Sequence, residues 1–213
     1  MNPKANASLQ RRALCFSAWA LPWAAMCPLP THAGAQLEEP LADAVRSALS
    51  AAIANRAPPR PSFESSEERL RYLRWLGALS DRLKRRKAEA QTRQELLEAT
   101  WYESKRAGLE TDLVLGLMQV ESGFRKYAIS SAGARGYMQV MPFWARVIGD
   151  GDVSKLFQMQ TNLRFGCTIL RHYLDRERGD LFMALGRYNG SRGKPAYPQA
   201  VFAAAKQWEF IPA

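Results

Sequence analysis

"LETDLVLGLMQVESGF", Leu109 to Phe124, is the stretch on which the reading of the chain turns. Thr111 is placed to cap a helix beginning at Asp112, and Gly123 is placed to end it. On that helix Glu121 falls four residues after Leu117, three after Met118 and seven after Val114, so a carboxylate shares the apolar face. It also falls in the last turn, where the helix dipole disfavours negative charge. The residues expected nearby include Phe124, Met138 and Met141. Each influence raises the pKa of Glu121. The following residues, "GFRKYAISSAGARGYMQVMP", form a polar, glycine-rich loop able to bring Ser130, Ser131 and Gln139 toward it. A carboxyl kept neutral among hydrogen-bonding groups is equipped to protonate a leaving oxygen, as glycosidic cleavage requires.

Outward from this stretch the apolar residues keep the helical period. Leu70, Leu73, Leu76, Leu79 and Leu83 recur at three and four residues behind a cap at Ser65 or Ser66. A helix is expected from about Arg93 to Ala107, closed by Gly108. Met159, Leu163, Cys167, Leu170 and Leu174 make one long stripe, Asp180 caps "LFMALGRY", and Pro198 sits just inside "PQAVFAAAKQW". The exception is "AISSAGARG", which predicts an irregular loop or tight hairpin. The fold class is therefore mainly α. "LADAVRSALSAAIANR" is a weakly amphipathic helix ended by "APPRPSF", and the "KRRK" that follows Leu83 reads as a solvated helix face.

The first 35 residues have the three parts of a secretory signal: Lys4, Arg11 and Arg12, then "ALCFSAWALPWAAMC", then Ala33 and Ala35 before Gln36. The expected organisation is a signal peptide over 1–35, a helical and linker region over 36–92, and a catalytic domain over 93–213. Periplasmic localisation follows from the export signal, with lipid attachment at Cys27 poorly supported by its "AAM" context. The exported part carries 27 Lys and Arg against 20 Asp and Glu, a net +7 that suits anionic partners such as peptidoglycan carboxylates or lipid head groups. Nucleic acid is not an expected partner, since no reading module or stacking motif is present. Beyond the signal only Cys167 remains. An internal disulfide is excluded, as is a Cys/His metal cluster with only His32 and His172 in the chain. Cys167 reads as a small core residue.

Four motifs in order, "ESGF", "SSAGARGYMQVMP", "YNGS" and "AYPQAV", resemble the soluble lytic transglycosylase family, which shares the goose-type lysozyme fold. The likeness covers about residues 96 to 209. It implies a lysozyme-like helical domain with a short irregular or hairpin loop beside the active site, preceded by N-terminal helices. The family's sole catalytic glutamate falls on Glu121, and its hydroxyl partner on Ser130. Gln139 and Met141 match residues that line the sugar cleft, Tyr188 and Asn189 match the pair on the cleft wall, and Tyr197 matches a tyrosine that orients the glutamate. Tyr137 stands where the family commonly has leucine, and Gly186-Arg187 where small apolar residues are frequent. Arg187 is expected to meet a peptide carboxylate or to face water.

Ordinary glycosidases use two carboxyl groups, and Val114 to Pro142 holds one. The resemblance implies how one suffices. Glu121 protonates the oxygen linking N-acetylmuramic acid to N-acetylglucosamine, the 2-acetamido group stabilises the cation, and Glu121 then deprotonates the C6 hydroxyl that closes onto C1. No metal or cofactor is implied, the partner is the peptidoglycan strand, a monomer is expected, and peripheral association with membrane or wall machinery is compatible. The rivals are a hydrolytic muramidase, with Asp150 or Asp152 orienting water, and a non-catalytic wall-binding or secretion-apparatus component.

Overall fold

A computed structural model describes residues 36, 38–54, 61 and 63–211. The expected signal segment and most of the proline-rich breaker lie outside these residues. Among the described residues eight α-helices follow one another: α1 Asp43–Ala54, α2 Ser66–Leu83, α3 Ala90–Arg106, α4 Thr111–Ser122, α5 Pro142–Ile148, α6 Met159–Arg176, α7 Leu181–Asn189 and α8 Ala196–Lys206. A 3-10 helix, Val153–Phe157, links α5 to α6. Among the described residues there is no extended strand. The loop after α4 carries two isolated antiparallel bridges, Ile129 with Arg135 and Arg135 with Val140. The mainly α architecture with one irregular loop is as expected.

The helix ends follow local chemistry. Ser65 accepts from the Glu68 amide to start α2, and Asp180 accepts from the Met183 amide to start α7. Gly123 and Gly190 end α4 and α7 in the left-handed conformation. Two expectations are corrected. Thr111 does not cap α4: it is the first helical residue, and its hydroxyl lies 2.8 Å from that of Ser104, joining α4 to the end of α3. Helix α3 starts at Ala90 rather than near Arg93, whose guanidinium turns back onto the Lys87 and Ala88 carbonyls and closes the α2–α3 turn. The α2 stripe is not wholly buried. Leu70 and Leu73 are about half exposed, because the inward face there is taken by Tyr72, packed with Phe63, Trp75 and Trp101.

The core gathers Leu96, Leu115, Leu117, Met118, Met138, Leu163, Cys167, Leu170 and Leu185, all essentially inaccessible. Helix α4 runs through this core against α8. The two approach closely because position 116 is glycine, where a Cβ would stand 2.5 Å from the Ala205 amide nitrogen. As α4 advances from Gly116 to Glu121, α8 runs back from Ala205 to Tyr197, so the pair is antiparallel. That direction brings the start of α8 to the end of α4.

The segments before α3 pack on the same helical body. Arg82 of α2 donates to the Gln207 and Glu209 carbonyls beyond α8, and Arg106 of α3 donates to the Ala52 carbonyl of α1. Gln36 is buried and accepts from the Trp144 indole at 2.7 Å.

Candidate active site

Glu121 is 6% exposed and shares its face of α4 with Val114, Leu117 and Met118, all fully buried. Its Oε1 accepts a 2.5 Å hydrogen bond from the Tyr197 hydroxyl at the start of α8. Its Oε2 is buried and has no hydrogen-bond partner. Burial pushes the carboxyl up to about 8, against the opposing pull of the Tyr197 hydrogen bond. At neutral pH the group is therefore mainly protonated. Tyr197 occupies Oε1 as a donor, so the acidic proton belongs on Oε2. Desolvation and proximity to Glu121 in turn hold the Tyr197 phenol well above its ordinary range, which keeps it a donor.

The loop beyond α4 is braced from several sides. Gln139 takes a left-handed backbone, φ 49°, a conformation rarely adopted outside glycine. It is buried, and its side-chain amide donates to the Ala128 and Gly136 carbonyls. Ser130 is half-buried, and its hydroxyl accepts from the Ala134 amide inside the turn. Ser131 is exposed at the turn. Met141, half-buried, immediately precedes α5. Tyr188 is 1% exposed and donates to the Met138 carbonyl at 2.7 Å, while Asn189 is buried as the last residue of α7. Of the residues expected at the site, Tyr197 is thus brought directly onto Glu121. Gln139 and Tyr188 spend their polar groups on the loop itself.

Two buried polar residues were not singled out from the sequence. Asn162 of α6, fully buried, donates to the Arg135 carbonyl of the loop and the Leu156 carbonyl of the 3-10 helix and accepts from the Met138 amide, so it joins both segments to α6. Gly136 is held against it, since a Cβ there would lie 2.4 Å from Asn162 Nδ2. Glu103 of α3 is 1% exposed and accepts from Arg164 Nε and Nη2 at 3.0 and 2.9 Å and from Gln160, locking α3 to α6. Neither carries a local sequence signal. A buried asparagine or ion pair is distinguished from a surface one only by what the fold brings to it.

Other expectations resolve on the same geometry. Arg187 neither faces water nor stands free for a ligand: it pairs with Glu39 at 2.9 Å and Glu177 at 2.7 Å, and Arg192 joins Glu177. Its hydrogen bonds with Arg192 and Arg187 hold Glu177 down at about 2. Gly186 is required small because a Cβ would meet the Arg192 Cα at 2.9 Å. Asp150 pairs with Lys155, and Asp152 caps the 3-10 helix through the Ser154 amide. Both line a hollow of about 620 Å³ shared with Ser50, Ile53 and Phe165, whose walls do not include Glu121. Cys167 is buried and free, and desolvation pushes its thiol far above the ordinary range. Among the described residues no cluster of three potential metal ligands forms, and no helix is long and apolar enough to cross a membrane.

Comparison with known proteins adds to this geometry. The transglycosylase SLT domain family matches residues 99–211. The chain is 55% identical over 75 residues to the membrane-bound lytic murein transglycosylase C of Mannheimia succiniciproducens, a match covering 32% of this chain and 21% of that protein. It is 40% identical over 103 residues to the protein of the same name from Histophilus somni, covering 41% and 28% respectively. The matched part is thus under a third of either relative's length. Among solved structures, the lytic transglycosylase Slt of Pseudomonas aeruginosa, determined as an inactive mutant, is similar at a TM-score of 0.47 and 22% identity over 52% of this chain and 23% of that one.

Proposed function

Because the chain belongs to the transglycosylase SLT domain family, we propose that it is a peptidoglycan lytic transglycosylase of lysozyme-like fold, cleaving the β-1,4 bond between N-acetylmuramic acid and N-acetylglucosamine without water. The observation that carries the reading is the state of Glu121: one oxygen held by Tyr197, the other buried and unpartnered, and the carboxyl raised to about 8. A group in that state donates a proton to the glycosidic oxygen near neutral pH. Loss of the bond leaves a cation at C1, which the substrate's own acetamido carbonyl can capture. The carboxylate, now charged in a desolvated site, is a strong base. It takes the proton of the C6 hydroxyl, whose oxygen closes onto C1 to give a 1,6-anhydromuramoyl end. Protons balance over the cycle, and Glu121 returns to its starting form.

Tyr197 positions the carboxyl and stabilises its ionised form between the two steps. Ser130, Met141 and Asn189 are assigned to the substrate-facing walls, while Gln139 and Tyr188 act by holding the loop that forms them. A hydrolytic route needs a second group to orient water. Asp150 and Asp152 are engaged with Lys155 and Ser154 in a different hollow, which favours the non-hydrolytic route. We assign residues 93–213 to the catalytic domain, 36–92 to a helical support packed on it, and 1–35 to an export signal that delivers the protein to the periplasm. The test is digestion of purified sacculi by the exported form. Muropeptides lighter by one water than their reducing-end counterparts are expected, with none released by Glu121→Gln. Reducing muramic acid as the direct product would overturn the assignment.

A further inference from the structure

A hollow of about 660 Å³ opens where the α2–α3 turn faces the segment after α4, and four of its wall residues are cationic: Arg86, Lys87, Arg125 and Lys126. The Arg86 guanidinium lies 5.9 Å from the centre of the Phe124 ring, the Lys87 ammonium 5.3 Å from that of Tyr137, and the Lys126 ammonium 5.2 Å from that of Tyr127. Arg125 donates to the Ser122 carbonyl. Among the described residues, none of the four forms an ion pair with a carboxylate; the salt bridges of the chain lie elsewhere. Glu89, the acidic residue of the wall, is engaged by the Thr92 hydroxyl at 2.6 Å. Burial first, and the charge of Lys126 second, hold Lys87 below the ordinary lysine range. Four cations share the recess with the one carboxylate of Glu89, so their mutual repulsion is only partly offset, and an anion seated there relieves it.

The recess is joined to the acid by a short chain of contacts. Arg125 holds the Ser122 carbonyl, Ser122 is the neighbour of Glu121, and the Ser122 hydroxyl donates at 2.7 Å to the carbonyl of Tyr137, whose ring lies beneath Lys87. Ala128 and Ile129, which also line it, lead directly into the turn carrying Ser130. The rim is amphipathic, with Tyr127 70% and Ile129 65% exposed beside the cations. Its volume is that of a site for a small molecule or a few peptide residues. A flat lipid surface would not fill a recess of this kind.

We propose that this hollow binds the carboxylate-bearing peptide carried by the glycan strand being cut, so that the α2–α3 turn, which precedes the family-matched region, selects strands that still bear their peptides. The proposal rests on the transglycosylase reading of Glu121. Cations take the peptide carboxylates, and Tyr127 and Ile129 take its apolar side chains.

The experiment compares intact sacculi with sacculi stripped of peptide by an amidase, using wild type, Lys126→Glu, Lys87→Gln and Lys126→Arg in the exported form. On intact strands Lys126→Glu is expected to raise KM about tenfold, as for loss of one or two partly exposed charge pairs, with kcat unchanged. Lys87→Gln is expected to raise it less, and Lys126→Arg is expected to retain wild-type behaviour. On stripped strands all four proteins are expected to be equal. Equal KM for wild type and Lys126→Glu on intact strands, or the same change on both substrates, overturns the proposal. So does loss of binding to anionic phospholipid vesicles in Lys126→Glu with unchanged kinetics on sacculi, which assigns the patch to lipid. Failure of the transglycosylase reading shows separately: wild type then releases no anhydro product from stripped strands, while equilibrium binding of the free peptide still reports the hollow.

Discussion

Gly116 of α4 and Ala205 of α8 lie so close that any side chain at position 116 would meet the Ala205 backbone, its Cβ 2.5 Å from the amide nitrogen and 2.7 Å from the Cα. The contact sets the separation of the two helices, and hence the distance at which Tyr197 meets Glu121 five residues further along α4. Gly116→Ala is therefore expected to push α8 away, destabilising the fold by about 1–3 kcal/mol through overpacking. Turnover should fall by more than the loss of folded protein explains. Thermal denaturation and kcat on sacculi, measured on the same preparation, check both effects.

The raised pKa of Glu121 has an opposite sign for stability. Unfolded, the carboxyl ionises near its ordinary 4.5; folded, it keeps its proton to about 8. Between these values the folded state binds more protons, so stability falls as pH rises through that window. Glu121→Gln removes the penalty. It is expected to abolish cleavage while stabilising the protein at pH 7 by on the order of 1–3 kcal/mol, with little difference from wild type below pH 4. Urea denaturation at pH 4 and pH 7 measures this difference.

The activity profile follows from the same group. Under the proposed role of Glu121 as the acid of the first step, kcat/KM is expected to fall as pH rises through about 8. The Tyr197 hydrogen bond lowers that value, so Tyr197→Phe should move the alkaline limb upward while lowering kcat, by about 10- to 100-fold for the lost positioning contact. A Tyr197→Phe profile with an unmoved alkaline limb would separate Tyr197 from the acid.

Glu103 and Arg164 form a buried pair between α3 and α6, with side chains 2% and 7% exposed. Arg164→Met leaves Glu103 only the Gln160 amide and Arg106, 3.8 Å away, and is expected to cost about 3 kcal/mol. Replacing both, Glu103→Leu with Arg164→Met, should recover most of it, because two apolar groups of similar volume replace two desolvated charges. Denaturation of the single and double variants tests the difference.

Asn162 ties two backbone groups of the loop after α4, and one of the 3-10 helix, to α6. Asn162→Leu leaves the Arg135 and Leu156 carbonyls and the Met138 amide without that partner, and is expected to destabilise by about 2–4 kcal/mol. Amide exchange of Met138 should quicken more than that of the α4 core, which distinguishes loosening of the loop from global unfolding.

Much of this arrangement was legible before any coordinates. The helical repeat, the caps at Ser65 and Asp180, the left-handed stop at Gly123 and the turn at Ser130–Gly136 are local events, set by residues within a few positions of one another. The placement of Glu121 on an apolar face is equally local, since a single helix fixes which residues share its side. Ordered motifs along the chain allowed Tyr197 to be matched with Glu121 although 76 residues separate them. Three things were not legible: the closeness of Gly116 to Ala205, the burial of Asn162 and of the Glu103–Arg164 pair, and the enclosure of Arg187 between Glu39 and Glu177. The same holds for Leu70 and Leu73 of α2, which obeyed the helical period and yet were left half exposed when Tyr72 took the inner face. Periodicity records which residues lie together on one helix; it does not record which other helix arrives, or how near. Sequence alone therefore determined most of the helices, several of their ends and the candidate acid. Tertiary packing decided the acid's partner, its desolvation and the bracing of its loop, because those depend on groups brought together only when distant segments close on one core.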